Sequence, residues 1–122
     1  MPTPRDHHAV GVVNAKLYAI AGRINASHDR SIADNEEPTV RSGVAGAVLD
    51  GKVFVLGGEY NRATRRNVES YDPATNQWRR WAPMLTARHG LGVAVLGRSI
   101  YVIAGGPKPG ASFSSVNEVF TP

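Results

Sequence analysis

The sequence predicts an all-β protein, and three observations predict it. Short runs of aliphatic, β-branched and aromatic residues recur, each bounded by turn residues. Thirteen glycines and eight prolines among 122 residues favour many short strands joined by tight turns over long helices. No segment carries an apolar period of a helix. The unit is clearest at Asp50-Gly51-Lys52-Val53-Phe54-Val55-Leu56-Gly57-Gly58, where an Asp-Gly turn leads into a strand that two glycines stop.

Three segments repeat this unit without a gap: Arg5 through Gly22, Arg41 through Gly58 and Arg88 through Gly105. Each reads as strand, turn, strand. An arginine precedes a strand of small and apolar residues, and the turn follows at Asn14-Ala15, Asp50-Gly51 or Gly97-Arg98. The second strands are Leu17-Tyr18-Ala19-Ile20, Val53-Phe54-Val55-Leu56 and Ile100-Tyr101-Val102-Ile103. After the middle hairpin a polar loop, Glu59 to Asn67, leads to Val68-Glu69-Ser70-Tyr71-Asp72 and then, past a proline-containing turn, to a strand around Trp78. A four-stranded antiparallel unit of roughly 45–50 residues per repeat is the signature of a propeller blade.

The ordered set Gly57-Gly58, Tyr71-Asp72, Trp78 and Pro83-Met84-x-x-x-Arg88 resembles the kelch repeat of β-propellers. The resemblance spans essentially the whole chain, although only the middle copy carries every element. The double glycine is replaced by Ala21-Gly22 in the first copy and shifted to Ala104-Gly105-Gly106 in the third, so those hairpins are expected to turn slightly differently. The expected organisation is one partial kelch β-propeller with about ten strands. It comprises a truncated blade one over 1–40, a complete blade two over 41–87 and a blade three over 88–122 that lacks its outer strand. The spacing from Arg5 to Arg41 is 36 residues, against 47 from Arg41 to Arg88. Asn35-Glu36 matches the beginning of a third strand, but Pro38-Thr39-Val40-Arg41 follows almost at once. The chain therefore resembles the C-terminal part of a larger propeller. The resemblance places the strand after each arginine nearest the central channel and the next strand between neighbouring blades. Core positions are expected at Val48, Val53, Val55, Leu56, Tyr71, Trp78, Val93, Val95, Ile100 and Ile103, with Phe54 and Tyr101 beside them.

Composition excludes several chemistries. Cysteine is absent, so there are no disulfides, thiol nucleophiles or thiolate metal sites. His7, His8, His28 and His89 lack the spacing of a metal site, and no cofactor or metal is expected. No serine sits in a G-x-S-x-G setting, Gly105-Gly106-Pro107-Lys108-Pro109-Gly110 lacks the spacing of a phosphate loop, and no pair of carboxylates stands out. Asn25-Ala26-Ser27 matches a glycosylation sequon, which matters only in a secretory pathway. The net charge of +4 comes mainly from scattered arginines, without a stacking platform or helical reader, so nucleic acid is not an expected partner. No apolar run approaches the roughly 18 residues of a membrane span, and residues 1–8 show no signal-peptide core, which leaves the cytoplasm as the default compartment.

One positional set remains as a candidate binding site. Arg5, Arg41 and Arg88 are equivalent, and the resemblance puts them around one mouth of the channel, where peptides are often held. With Ser42 and His89 following, they form a candidate basic rim for acidic protein segments; the alternative is that the arginines pair with acids or backbone carbonyls between blades. The expected function is non-enzymatic, as a protein-interaction or scaffolding module. Fewer than the roughly four blades needed for a ring imply self-association or a further chain segment, with a homo-oligomer the favoured arrangement. The alternative is a fragment of a sugar-processing kelch enzyme, of mutarotase type, binding carbohydrate at the channel mouth.

Overall fold

A computed structural model describes residues 4–25 and 38–122. The start of a third strand expected at Asn35-Glu36, His28 and the Ala26-Ser27 of the sequon lie outside the described residues. Every regular element among the described residues is a strand, and three antiparallel sheets stand side by side. Sheet one pairs β1 (Ala9–Val13) with β2 (Lys16–Ile20). Sheet two has the order β3 (Ala45–Leu49), β4 (Lys52–Leu56), β7 (Val68–Asp72) and β8 (Gln77–Arg80). Sheet three has β9 (Gly92–Leu96), β10 (Ser99–Ile103) and β11 (Asn117–Phe120), with β10 in the centre. A small hairpin of β5 (Glu59–Tyr60) and β6 (Ala63–Thr64) organises the polar segment between β4 and β7, which the sequence suggested only as a loop.

The registers follow from the turn chemistry. Asn14 and Ala15 both have positive φ (50° and 59°), as do Asp50 and Gly51 (49° and 70°), the signature of tight hairpin reversals. Val13 therefore faces Lys16, and Leu49 faces Lys52. At the strand exits the expectation of different turns is overturned. Ala21 and Ala104 adopt φ of 62° and 56°, close to the 64° of Gly57, so alanine accepts the left-handed conformation that the hairpin imposes.

Alternation along the strands divides the apolar residues between two cores. Val53, Val55 and Tyr71 of sheet two pack with Ala9, Val13 and Ile20 of sheet one. Ala45, Ala47, Phe54, Leu56 and Val68, on the opposite face, pack with Ile100 and Val102 of sheet three. Close approach is possible because the inner strands carry glycine. A Cβ on Gly46 would lie 2.9 Å from the Ala9 Cβ, and one on Gly11 would lie 2.8 Å from Val53. Of the expected core, Val53, Val55, Leu56, Tyr71 and Ile100 are buried, whereas Val48, Trp78 and Val93 are half-buried. Val95, Tyr101 and Ile103 are exposed, which corrects their assignment to the core. Tyr101 and Ile103 alternate with the buried Ile100 and Val102 and so face away from sheet two, where no described residue covers sheet three, and Val95 stands 40% exposed outside the second core.

Candidate functional site

The end of the stack where the inner strands begin gathers the polar residues. In each repeat the residue after the arginine pairs with the residue after the glycine of the strand exit, as Asp6 with Arg23, Ser42 with Glu59 and His89 with Gly106. These three bridges continue the hairpin register three residues beyond the last strand pair and set six repeat-equivalent positions at one end of the sheets.

The arginines hold this end together from inside. Arg41 is fully buried and donates from Nε to the Gly57 carbonyl at 2.8 Å, from Nη2 to the Val55 carbonyl at 3.1 Å and from Nη1 to the Thr39 carbonyl at 2.7 Å. The same Nη1 donates to the buried carboxylate of Glu69. Arg88, also fully buried, donates to the carbonyls of Ala104 and Val116 and lies 3.4 Å from Glu118. Arg5 donates to the Ala21 carbonyl at 3.2 Å. Thus all three reach the same carbonyl of their own hairpin, that of position 21, 57 or 104. Arg41 and Arg88 take the alternative role that the sequence left open, with acids and carbonyls as partners, and expose no surface to a ligand.

Beside them, Ser42 and His89 occupy different settings. Ser42 is buried, and its hydroxyl has no hydrogen-bond partner among the described residues. His89 Nε2 donates to the Lys108 carbonyl at 3.0 Å, which leaves Nδ1 facing Glu59 Oε1 at 3.9 Å. Glu59 is buried, 3.6 Å from the Arg23 guanidinium, and accepts from the Gly110 amide at 3.4 Å. Arg23 donates through Nε to Asp6 at 2.8 Å, and Asp6 also meets the His7 ring at 2.6 Å. The segment between β10 and β11 reaches across to the β5–β6 hairpin, where the Thr64 hydroxyl donates to the Pro107 carbonyl at 3.0 Å. The five sequence-nominated residues therefore share one end of the sheets. Asp6, Arg23 and Glu59, which sequence reasoning missed, complete the polar cluster and make it mixed in charge. Their signal was positional, since Arg23 and Glu59 directly follow the repeat-equivalent Gly22 and Gly58.

Comparison with known proteins bears on the same repeat. A family model described as Kelch motif matches residues 41–85, the span holding the four-stranded sheet, its Gly57-Gly58 exit, Tyr71-Asp72, Trp78 and Pro83-Met84. The chain is made of kelch repeats. It is similar to the Kelch-like protein terF of Aspergillus terreus, 32% identical over 140 residues that include 100% of this chain and 30% of that protein. Kelch-like ECH-associated protein 1A of Danio rerio is 41% identical over 69 residues, covering 52% of this chain and 11% of its own length. The Influenza virus NS1A-binding protein of Homo sapiens is 40% identical over 65 residues, covering 53% of this chain and 10% of its own length. The kelch chain thus spans less than a third of the length of these relatives. Its three sheets form an open kelch β-propeller segment, and the polar cluster sits where the innermost strands of successive kelch blades begin.

Proposed function

We propose that this kelch chain is a non-enzymatic protein-interaction module, working within a closed ring of blades and holding a peptide segment of a partner at the inner-strand rim. The observation that carries the reading is the cluster built by all three repeats at one end of the sheets. Relatives named for association with, or binding of, other proteins support the same reading. Ser42, buried like Arg41, lies behind this rim, with no hydrogen-bond partner for its hydroxyl among the described residues. His7 and Lys108 border the cluster at the surface, and His89 lies half-buried within it. A ligand with both carboxylate and amide groups suits this mixture of charges, with backbone amides and carbonyls meeting the rim as polar partners. The blade limits 1–40, 41–87 and 88–122 organise the module, with Arg5, Arg41 and Arg88 supporting the rim from behind.

Calorimetric titration with a panel of acidic and basic heptapeptides, and in parallel with free sugars including sialic acid, tests this reading. Peptide binding that weakens at least tenfold in His89→Ala, with sugars inert, is the expected result. Saturable sugar binding accompanied by turnover would replace the module with the sugar-processing enzyme.

A further inference from the structure

The two ends of the stack of sheets match each other in a way that the interior of the stack has already used twice. Sheet one covers sheet two with Ala9, Gly11, Val13, Tyr18 and Ile20. The equivalent positions of sheet two, Ala45, Ala47, Leu49, Phe54 and Leu56, cover sheet three. In sheet three the same positions are Gly92, Ala94, Leu96, Tyr101 and Ile103, and nothing among the described residues covers them, so that Ile103 is 45% and Leu96 70% exposed. At the opposite end, Val10, Val12 and Leu17 occupy the positions by which Val93, Val95 and Ile100 face sheet two. They are 44%, 55% and 69% exposed. One end lacks the surface that the other end presents.

Backbone hydrogen bonds repeat the match. Gly43 N donates to the His7 carbonyl at 2.9 Å, and Gly90 N donates to the Gly43 carbonyl at 2.8 Å. His7, Gly43 and Gly90 hold the same place in the repeat and share a positive φ of 56°, 64° and 59°. In the other direction Gly22 N donates to the Arg41 carbonyl at 3.1 Å and Gly58 N to the Arg88 carbonyl at 2.8 Å. The two series stop at the Gly90 carbonyl and the Gly105 amide, which have no partner among the described residues.

We infer that a second copy of this chain docks head to tail on the outer face of sheet three. The partner's sheet one lies over Tyr101 and Ile103, with the partner's Leu17 against Tyr101 as Ile100 lies in the core that Phe54 builds. The partner's His7 amide donates to the Gly90 carbonyl, and the Gly105 amide donates to the partner's Arg5 carbonyl. Continuity with the two internal interfaces selects a second copy, because the surface that fits the open end is already present on the chain. The contact is heterologous, so each copy keeps one open face unless a ring closes, and two copies supply about six blades, within the range that closes. The inference rests on the reading that these repeats work inside a ring.

Light scattering on the purified chain over a hundredfold dilution series, with Leu17→Glu and Ile103→Glu variants, tests it. Both substituted residues are exposed in the single chain, so circular dichroism is expected to show each variant folded as the wild type. The wild type is expected to form a dimer or larger species that dissociates on dilution, and each variant alone a monomer. Mixing the variants restores one junction, between the intact sheet three of Leu17→Glu and the intact sheet one of Ile103→Glu, and yields a 1:1 dimer. A wild type that stays monomeric throughout overturns the docking, and so does a Leu17→Glu variant that still dimerises by itself, which would mean a self-complementary contact. Copies that associate while no peptide binds leave the docking standing and remove the rim reading; a monomer that binds peptide does the reverse.

Discussion

At the scale of single residues, the arginine that opens each repeat acts as an internal clamp. Arg41 carries its charge into a site with no exposed surface, and that is tolerable because three carbonyls and the Glu69 carboxylate meet its guanidinium. Glu69 is held in turn by the Thr39 hydroxyl at 2.7 Å and lies 3.4 Å from Arg80 of β8. Glu69→Ala would strand the buried cation and leave Thr39 without its acceptor. Removing one partner of such a pair costs about 3–5 kcal/mol, and urea unfolding of the variant measures it. A loss below about 1 kcal/mol would show that water reaches Arg41 and that the pair is not a fixed part of the core. The same economy of local geometry is visible at Ala21 and Ala104, whose left-handed φ glycine would adopt without strain.

At the scale of elements, each sheet is defined by what lies on its two faces. Sheet two is covered on both, and its residues show it: β4 is buried along Val53–Leu56, and β7 along Val68–Tyr71. Phe54 lies in the core shared with sheet three, with ring centroids 5.7 Å from Trp81 and 6.0 Å from Phe120. Trp78 lies half-buried on β8, the outermost strand, with its ring centroid 5.4 Å from that of Tyr71. Phe54→Ala is therefore expected to cost about 3–5 kcal/mol. Trp78→Ala is expected to cost less, about 1–2 kcal/mol, because its side chain is only half-buried. Thermal or denaturant unfolding of the two variants checks the order. If the tryptophan proved the costlier loss, the outer strand would have to be covered in solution.

At the scale of the whole molecule, the three sheets bury two interfaces against one another, and no described residue covers the two apolar faces at the ends of the stack. Exposed apolar faces of this kind mark contact surfaces, and the docking of a second copy is the contact inferred above from the matched ends of the stack. Docking that binds only folded chains raises their stability by mass action. The melting temperature of the wild type is thus expected to climb with protein concentration, while that of Leu17→Glu stays constant. Scanning calorimetry at concentrations a hundredfold apart gives the answer, and a wild-type melting temperature independent of concentration would contradict docking between copies.

Much of this was already written in the sequence. Asp50-Gly51 and Asn14-Ala15 determine where hairpins turn, alternation in Val53-Phe54-Val55-Leu56 determines that the strand has two apolar faces, and the equal lengths of the three segments determine that the hairpins superpose. These are local properties, set by φ preference and by a side-chain period of two. Tertiary structure decided which face is covered. Ile100 and Ile103 have the same chemistry and stand three residues apart on one strand, yet one is buried and the other exposed, because sheet two lies on one side only. It also decided the fate of the rim residues. The sequence could align Arg5, Arg41 and Arg88, but only the folded chain turns Arg41 and Arg88 inward onto carbonyls and brings Arg23 of the first repeat beside Glu59 of the second, and Glu59 beside His89 of the third. Burial and charge pairing depend on residues distant along the chain, and no local pattern encodes which of them will meet.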